Sequence, residues 1–435
     1  MTVRDSFTRW TWVTLVLALS AATRAGAQSP PPPLEQVLAR VTAAARVGDP
    51  GLRALHAALD AATSRHAAAG FTAPAALSAG FSDGPRGDLL AGNAALEIGR
   101  EVFRGRLNAA DRARESVEVD AARAEVAAAE RRLDLRVEVA LARAAGAARN
   151  ATRLDRSDRW LGDAEASLRA RFAVGEARYV DVLRVRTERL QASAERSRML
   201  ADLAAATESL AALVGDALGR DSLVALVAAA SMDAATVAWR DVLTDAPTEE
   251  EVIALFPSVR AAEAEGGRAR AMRGLTVAAS RPQFAASVGV QRIGEANGGP
   301  TAGLLLGVSG TLPFTALTAQ RRGLTAADAE IAAAQATLFS ARALARAQVR
   351  AAQARYAAAR ERLDTFDAAL LLAADAEREA ALSEYRGGNL TLVELLDFER
   401  ALLRVEVERT RALIEAVESR GALYGIDTPD TGAGS

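Results

Sequence analysis

Twenty residues occur twice in this chain in altered form, and that repetition limits the fold more than any other feature. Arg171–Leu190 reads RFAVGEARYVDVLRVRTERL, and Glu384–Leu403 reads EYRGGNLTLVELLDFERALL. In each, an aromatic residue precedes a glycine by three positions, an acid follows that glycine by six, and an aliphatic pair comes next. Phe172, Gly175, Asp181 and Val182-Leu183 thus answer Tyr385, Gly388, Glu394 and Leu395-Leu396. The two glycines are 213 residues apart, about half the chain, so the plan of one half predicts the plan of the other. Each glycine also falls where a long helical pattern should stop. Only glycine enters the left-handed region freely, which makes Gly175 and Gly388 expected turns between helices.

Around those turns, residues 86–246 and 314–428 contain no proline, and heptad-like Ala, Leu and Val spacing with dense Arg and Glu fills most of both. Arg104–Arg171 predicts one helix of 68 residues, roughly 100 Å long at about 1.5 Å per residue, with Gly146 and Asn150 as places for a bend. Ala177–Val214 predicts its antiparallel partner, ending at Gly215. In the second half, Gln320–Tyr385 predicts a 66-residue helix before the Gly388 turn. Helices of this length cannot be enclosed in one compact domain.

The period changes ahead of each hairpin. In Pro74–Asp83, Ala75, Leu77, Ala79 and Phe81 alternate with Ala76, Ser78, Gly80 and Ser82, the two-residue repeat of a strand with one apolar face. A weaker alternation sets Leu96, Ile98 and Val102 against Glu97, Gly99 and Glu101, spoiled on the apolar side by Arg100. Phe284, Ala286, Val288 and Val290 alternate with Ala285, Ser287, Gly289 and Gln291, and a fourth strand puts Leu304, Leu306, Val308 and Leu312 on one face. The turn at residues 82–87 and the Gly-rich loop at residues 294–300 join the two pairs. That loop lacks the Lys-Ser/Thr of a phosphate loop. Leu34–Gly70 reads as helix interrupted at Gly48-Asp49-Pro50, and Phe256–Ala261 echoes Asp49–Ala54. The first repeat is therefore placed at residues 28–215, with a β-hairpin at about 74–103 and a tip near 172–183. The second is placed at residues 216–427, with a β-hairpin at about 282–313 and a tip near 385–397, followed by a flexible tail at 428–435.

Arg4 and Arg9 precede an apolar run from Trp10 to Ala22 and the small-x-small site Ala25-Gly26-Ala27, which predicts a signal peptide over residues 1–27. The run is shorter than the ~18 to 20 residues a membrane span needs. The chain has no cysteine, which excludes disulfides, thiolate metal sites and a cysteine nucleophile. A formal charge of −2 gives no general pull toward nucleic acid. The only histidines, His56 and His66, are ten residues apart and do not make a metal pair on a helix. No cofactor is expected, and no catalytic signature occurs, so the chain reads as a non-enzyme.

Four strands with one apolar and one small, polar face cannot close a barrel alone, because closure takes about eight or more and an open edge is disallowed in lipid. Several chains must pool them. In these respects the sequence resembles the TolC-type outer-membrane efflux proteins over nearly all of its length beyond residue 27. The F/Y-x-x-G-x-x-x-x-x-D/E-x-L turn, present twice at matched positions, carries the likeness. The resemblance implies a mainly α fold with a small β part: duplicated helical hairpins forming a trimeric α-barrel tunnel, and four strands per chain in a shared twelve-stranded outer-membrane β-barrel. It implies a homotrimer in outer-membrane lipid with a long periplasmic extension, serving a periplasmic adaptor and an inner-membrane pump. Carried over by residue, Glu394 and Asp397 match the acids that ring the tip pore, and Asp181 and Tyr385 match the network that holds the tip shut. Phe172, Gly175, Gly388, Leu183 and Leu396 match the tip turns and adaptor contact. The family's arginine two residues after the second glycine is replaced by Leu390, which leaves Arg178 or Arg386 as its substitute. The alternative reading is a periplasmic adaptor or coiled-coil scaffold, which also has long helical hairpins.

Overall fold

The structure is a computed structural model that describes residues 32–69, 76–82, 93–101, 105–231, 233–244, 248–281, 283–293, 301–311 and 317–424. The expected signal peptide, the loops around residues 83–87 and 294–300, and the tail at 428–435 lie outside those residues, as do Val102 and Leu312. In order, the elements are α1 (Leu34–Gly48), α2 (Pro50–Ala68), β1 (Ala76–Ser82), β2 (Asn93–Glu101), α3 (Gly105–Ala173), α4 (Tyr179–Val214), α5 (Arg220–Ala230), α6 (Asp233–Thr244), α7 (Glu249–Leu255) and α8 (Pro257–Ala279). There follow β3 (Gln283–Ile293), β4 (Thr301–Thr311), α9 (Leu317–Thr365), a π-helical turn (Phe366–Leu370), α10 (Leu371–Arg386) and α11 (Leu392–Leu423). These form two compact units. The first takes its residues from the chain up to Arg53, from Ala128–Phe256 and from Ala345 onward; the second from Ala54–Ala127 and Pro257–Leu344.

The helix expected over Arg104–Arg171 is α3, continuous for 69 residues and including Gly146 and Asn150. Gly146 serves close packing: a Cβ there would stand 2.7 Å from Ile414 Cδ1 and 3.0 Å from Thr410 Cγ2, so α11 approaches where the side chain is missing. The predicted helix Gln320–Tyr385 is interrupted, because Phe366–Leu370 forms a π turn between α9 and α10.

In the first unit, α1 presents Leu34, Val37, Val41 and Ala45 at helical spacing and buries all four, against α4, α5 and α6. Its end is fixed by contact of two backbones. A Cβ on Gly48 would overlap the Val214 carbonyl, and Gly215 beside it takes φ 61°. Arg46 then grips Asp134 with two hydrogen bonds of 3.0 and 2.5 Å. Leu223 of α5 and Trp239 and Leu243 of α6 are almost fully buried, which the long-period repeat did not foreshadow. Cross-links tie α3 to α11: Arg143 to Glu418 at 2.6 Å, Arg420 to Glu138 at 2.6 Å, and Arg153 to Glu406 at 3.2 Å. Every cation in these pairs is a guanidinium, for the sequence contains no lysine.

The second unit repeats the arrangement with bidentate Arg268–Glu118 bonds of 2.7 and 2.9 Å, Arg273–Asp328 at 2.5 Å and Arg342–Glu263 at 2.7 Å. It also holds the four-stranded antiparallel sheet, in the order β1-β2-β3-β4. The hairpins of the two halves meet at its centre, from Ala94 opposite Arg292 to Glu101 opposite Ala285. Register separates the faces cleanly. Leu96, Val290 and Leu304 share one row and Ile98, Val288 and Leu306 the next, with Leu77 beside Ile98. On the other face Ser78, Glu97, Gly289 and Leu305 share a row, and Gly99, Ser287 and Gly307 another. Leu305 is the one large apolar residue in those two rows. A Cβ on Gly289 would lie 2.6 Å from the Leu96 carbonyl oxygen, so that position admits no larger residue without a shift.

Candidate functional site

The two hairpin tips, both in the first unit, are built alike. At the first, Glu176 N donates to Arg171 O (2.8 Å) and Gly175 N to Phe172 O (3.0 Å). At the second, Asn389 N donates to Glu384 O (2.9 Å) and Gly388 N to Tyr385 O (3.1 Å), the same bonds shifted by 213 residues. Both Gly175 and Gly388 have φ 79°, and nothing lies within 4 Å of a Cβ built on either. Glycine is required there by backbone conformation and not by crowding.

The acids that follow occupy one helical position with different partners. Glu394 is the third residue of α11 and closes a capping box with Thr391: Thr391 N donates to its carboxylate at 2.8 Å, and Glu394 N donates to Thr391 Oγ1 at 3.3 Å. The backbone and hydroxyl donors of Thr391 hold this carboxyl below the usual carboxylate range. Asp181, its counterpart in α4, is instead held by Arg178 at 3.3 Å. Arg178 therefore does engage the acid of its own tip, while Arg386 and Tyr385 end α10, Arg386 exposed and Tyr385 half-buried. Asp397 is paired to Arg400 at 2.9 Å, and Arg400 also reaches Glu188 of α4. The Thr391-x-x-Glu394 signature was readable in the sequence; the Arg400 bridge between α4 and α11 was not.

Leu396 needs correction as a surface contact. It is only 2% exposed and packs with Leu161 and Leu168 of α3 and Val182 and Val185 of α4. Leu183, at the same register in the first copy, is 41% exposed. The reason is that α11 turns this face toward α3 and α4, whereas α4 turns the equivalent face away. Phe172 is exposed with Leu183 and meets the Tyr179 ring in a tilted contact with centroids 5.4 Å apart, and Val174 and Val180 are exposed as well.

Among the described residues no group of three or more His, Cys, Asp or Glu is placed to hold a metal ion, and no helix is long and apolar enough to cross a membrane.

No family model matches the sequence, and no curated protein matches it by sequence. Solved structures do match by fold. The outer-membrane protein VceC of Vibrio cholerae is similar at 21% identity and TM-score 0.61, over 89% of this chain and 95% of that one. The outer-membrane channel MtrE of Neisseria gonorrhoeae, in its open state, is similar at 17% identity and TM-score 0.63, over 89% and 88%. CusC is similar at 14% identity and TM-score 0.63, over 92% and 95%. The chain has the fold of outer-membrane channel proteins. More narrowly, it is the mainly α fold with a small four-stranded sheet that its resemblance to TolC-type proteins implied.

Proposed function

We propose that this chain is the outer-membrane channel of an export system, a passive conduit assembled as a homotrimer whose twelve strands, four from each chain, close into one barrel in lipid. The observation that carries the reading is the sheet. Nine large apolar side chains on one face stand exposed, Leu306 at 76% among them, while the rows of its other face are small or polar apart from Leu305. Together they form one contiguous apolar surface, of the kind that marks a membrane or protein contact. The long edges of β1 and β4 also need partners. Copies of the same sheet in a bilayer satisfy both needs, with the Ser, Gly and Gln face lining water.

The helical hairpins then extend into the periplasm, and their tips meet an adaptor and an inner-membrane pump that opens them. Phe172, Gly175, Leu183 and Gly388 belong to that contact, Asp181 and Tyr385 to closure of the tip, and Glu394 and Asp397 to the acidic ring of the pore. Because Arg400, shared with Glu188, offsets part of the charge of Asp397, Glu394 supplies the larger share of that ring's field.

The test is expression with its leader, followed by fractionation and electrophoresis with and without heating. A heat-modifiable trimer in the outer membrane that conducts ions in planar bilayers is expected; a soluble monomer would favour a scaffold. Leu306→Lys should prevent membrane assembly, since a lysine at mid-bilayer costs about 2 to 4 kcal/mol on a lipid-facing strand. Glu394→Ala should reduce cation selectivity more than Asp397→Ala. Unchanged selectivity in the double variant would remove both from the pore.

A further inference from the structure

We infer that arginines at the helix-bearing end of the sheet form a collar that binds the phosphates of anionic phospholipid in the leaflet facing the periplasm. The inference rests on the reading of the sheet as lipid-facing, and it names what the sheet meets at that edge. Register brings four strand ends together. Ala76 at the start of β1 lies opposite Gly99 near the end of β2, Glu101 opposite Ala285 near the start of β3, and Gln283 opposite Thr311 at the end of β4. Every connection to a helix therefore leaves from one end of the sheet.

The helices concerned are neighbours. Arg112 of α3 donates to the Ala69 carbonyl just after α2 at 3.2 Å, Arg268 of α8 binds Glu118 of α3 at 2.7 Å, and Arg273 of α8 binds Asp328 of α9 at 2.5 Å. The 11 residues of β3, at roughly 3.4 Å each and a tilt of about 40°, rise about 26 Å, close to the ~25 Å apolar band of a barrel wall. The end that carries the helices then falls in a headgroup layer.

The usual anchor of that layer is missing. Barrels hold their interfaces with girdles of Trp and Tyr, yet residues 54–127 and 257–344, which make up the second unit, contain neither. Arginine stands there instead. Arg281 just precedes β3, Arg106 opens α3, and Arg321 and Arg322 lie in the first two turns of α9, all four exposed. Among the described residues none of the four makes an ion pair, whereas Arg114, Arg268 and Arg273 nearby are bound to Asp111, Glu118 and Asp328. Those carboxylates are occupied, and the four guanidiniums remain open to phosphate. A guanidinium is always charged and its planar fork matches phosphate oxygens, and each basic group at a headgroup layer adds to the attraction for anionic lipid.

Native mass spectrometry of the full chain in detergent, titrated with phosphatidylglycerol or phosphatidylcholine, tests this. The parent should retain phosphatidylglycerol at concentrations about tenfold or more below those needed for phosphatidylcholine. Replacing Arg106, Arg281, Arg321 and Arg322 together by glutamine should raise the half-saturating phosphatidylglycerol concentration at least about tenfold, and replacing them by lysine should restore most of the binding, because the charge returns. Arg321→Gln with Arg322→Gln, which leaves the strand ends untouched, should weaken binding about fivefold or more even where the fourfold variant fails to assemble. Glutamine variants that bind like the parent, or a parent that takes up both lipids equally, overturn the collar. Inorganic phosphate at equal concentration should not displace the lipid; displacement would make the ligand free phosphate and overturn the lipid assignment. A parent that stays a soluble monomer refutes the channel reading and the collar with it, whereas a conducting trimer indifferent to phosphatidylglycerol refutes the collar alone.

Discussion

The duplicated tip lets one substitution be compared with itself at two addresses. Leu183 and Leu396 occupy the same register, yet Leu396 is enclosed by Leu161, Leu168, Val182 and Val185, whereas Leu183 faces outward. Leu396→Ala removes a nearly fully buried isobutyl group from a cluster pinned by three helices, which cannot collapse readily around the gap. The loss should be in the usual range for such truncations, about 2 to 5 kcal/mol. Leu183→Ala removes a group already largely in water and should cost under about 1 kcal/mol. Thermal unfolding of the full chain in detergent, followed by far-ultraviolet circular dichroism at one fixed protein concentration, checks the pair, since assembly makes the midpoint depend on concentration. Leu396→Ala should lower the midpoint at least twice as far. Equal shifts would mean that both leucines are enclosed in the working protein and would refute the asymmetry of the tips.

Three further outcomes follow from contacts in the first unit. Gly48→Ala should detach the end of α1, because its Cβ would overlap the Val214 carbonyl; limited proteolysis should then cut near residues 48–50, and an unchanged digest would contradict the close approach. Gly175→Ala and Gly388→Ala should each cost about 1 to 2 kcal/mol, and by similar amounts, since both have φ 79° with open space around them; unequal melting shifts would point to a tertiary contact at one tip. Glu394→Gln isolates the ionisation of the capping carboxylate, whose pKa is lowered by folding through the donors of Thr391. A lowered folded pKa stabilises the fold above the unfolded value and ceases to do so as the pH falls through the folded one. The parent should therefore melt above Glu394→Gln at neutral pH and match it in strong acid.

What the sequence made legible was whatever a residue imposes on its own backbone or its own face. Gly175 and Gly388 announced left-handed turns because no other residue adopts that conformation cheaply, and the alternations around Leu77, Ile98, Val288 and Leu306 announced one apolar sheet face because side chains alternate with period two. What stayed hidden was the neighbour. Periodicity places Leu183 and Leu396 on equivalent faces but is silent on which face α3 covers. It registers Gly146 as a weak point in a helix, whereas the approach of Ile414 makes it a packing site. The π turn was hidden for the same reason: Thr365–Leu371 has no glycine or proline to mark an interruption, and Asp367 in the turn is held by Arg240 and Arg409, which arrive from 127 residues before and 42 residues after it.

Duplication itself concealed the difference that matters most. A repeat found by matching residues draws attention to what the copies share, so the aromatic, glycine and acid of each tip stood out. The positions that differ, Leu161 against Ala374 and Leu168 against Ala381, are hydrophobic in both copies and pass as conserved pattern. Yet leucine and alanine differ by three carbons, so Leu161 and Leu168 reach into the tip core of the first copy, whereas Ala374 and Ala381 let α10 lie close against α11 in the second.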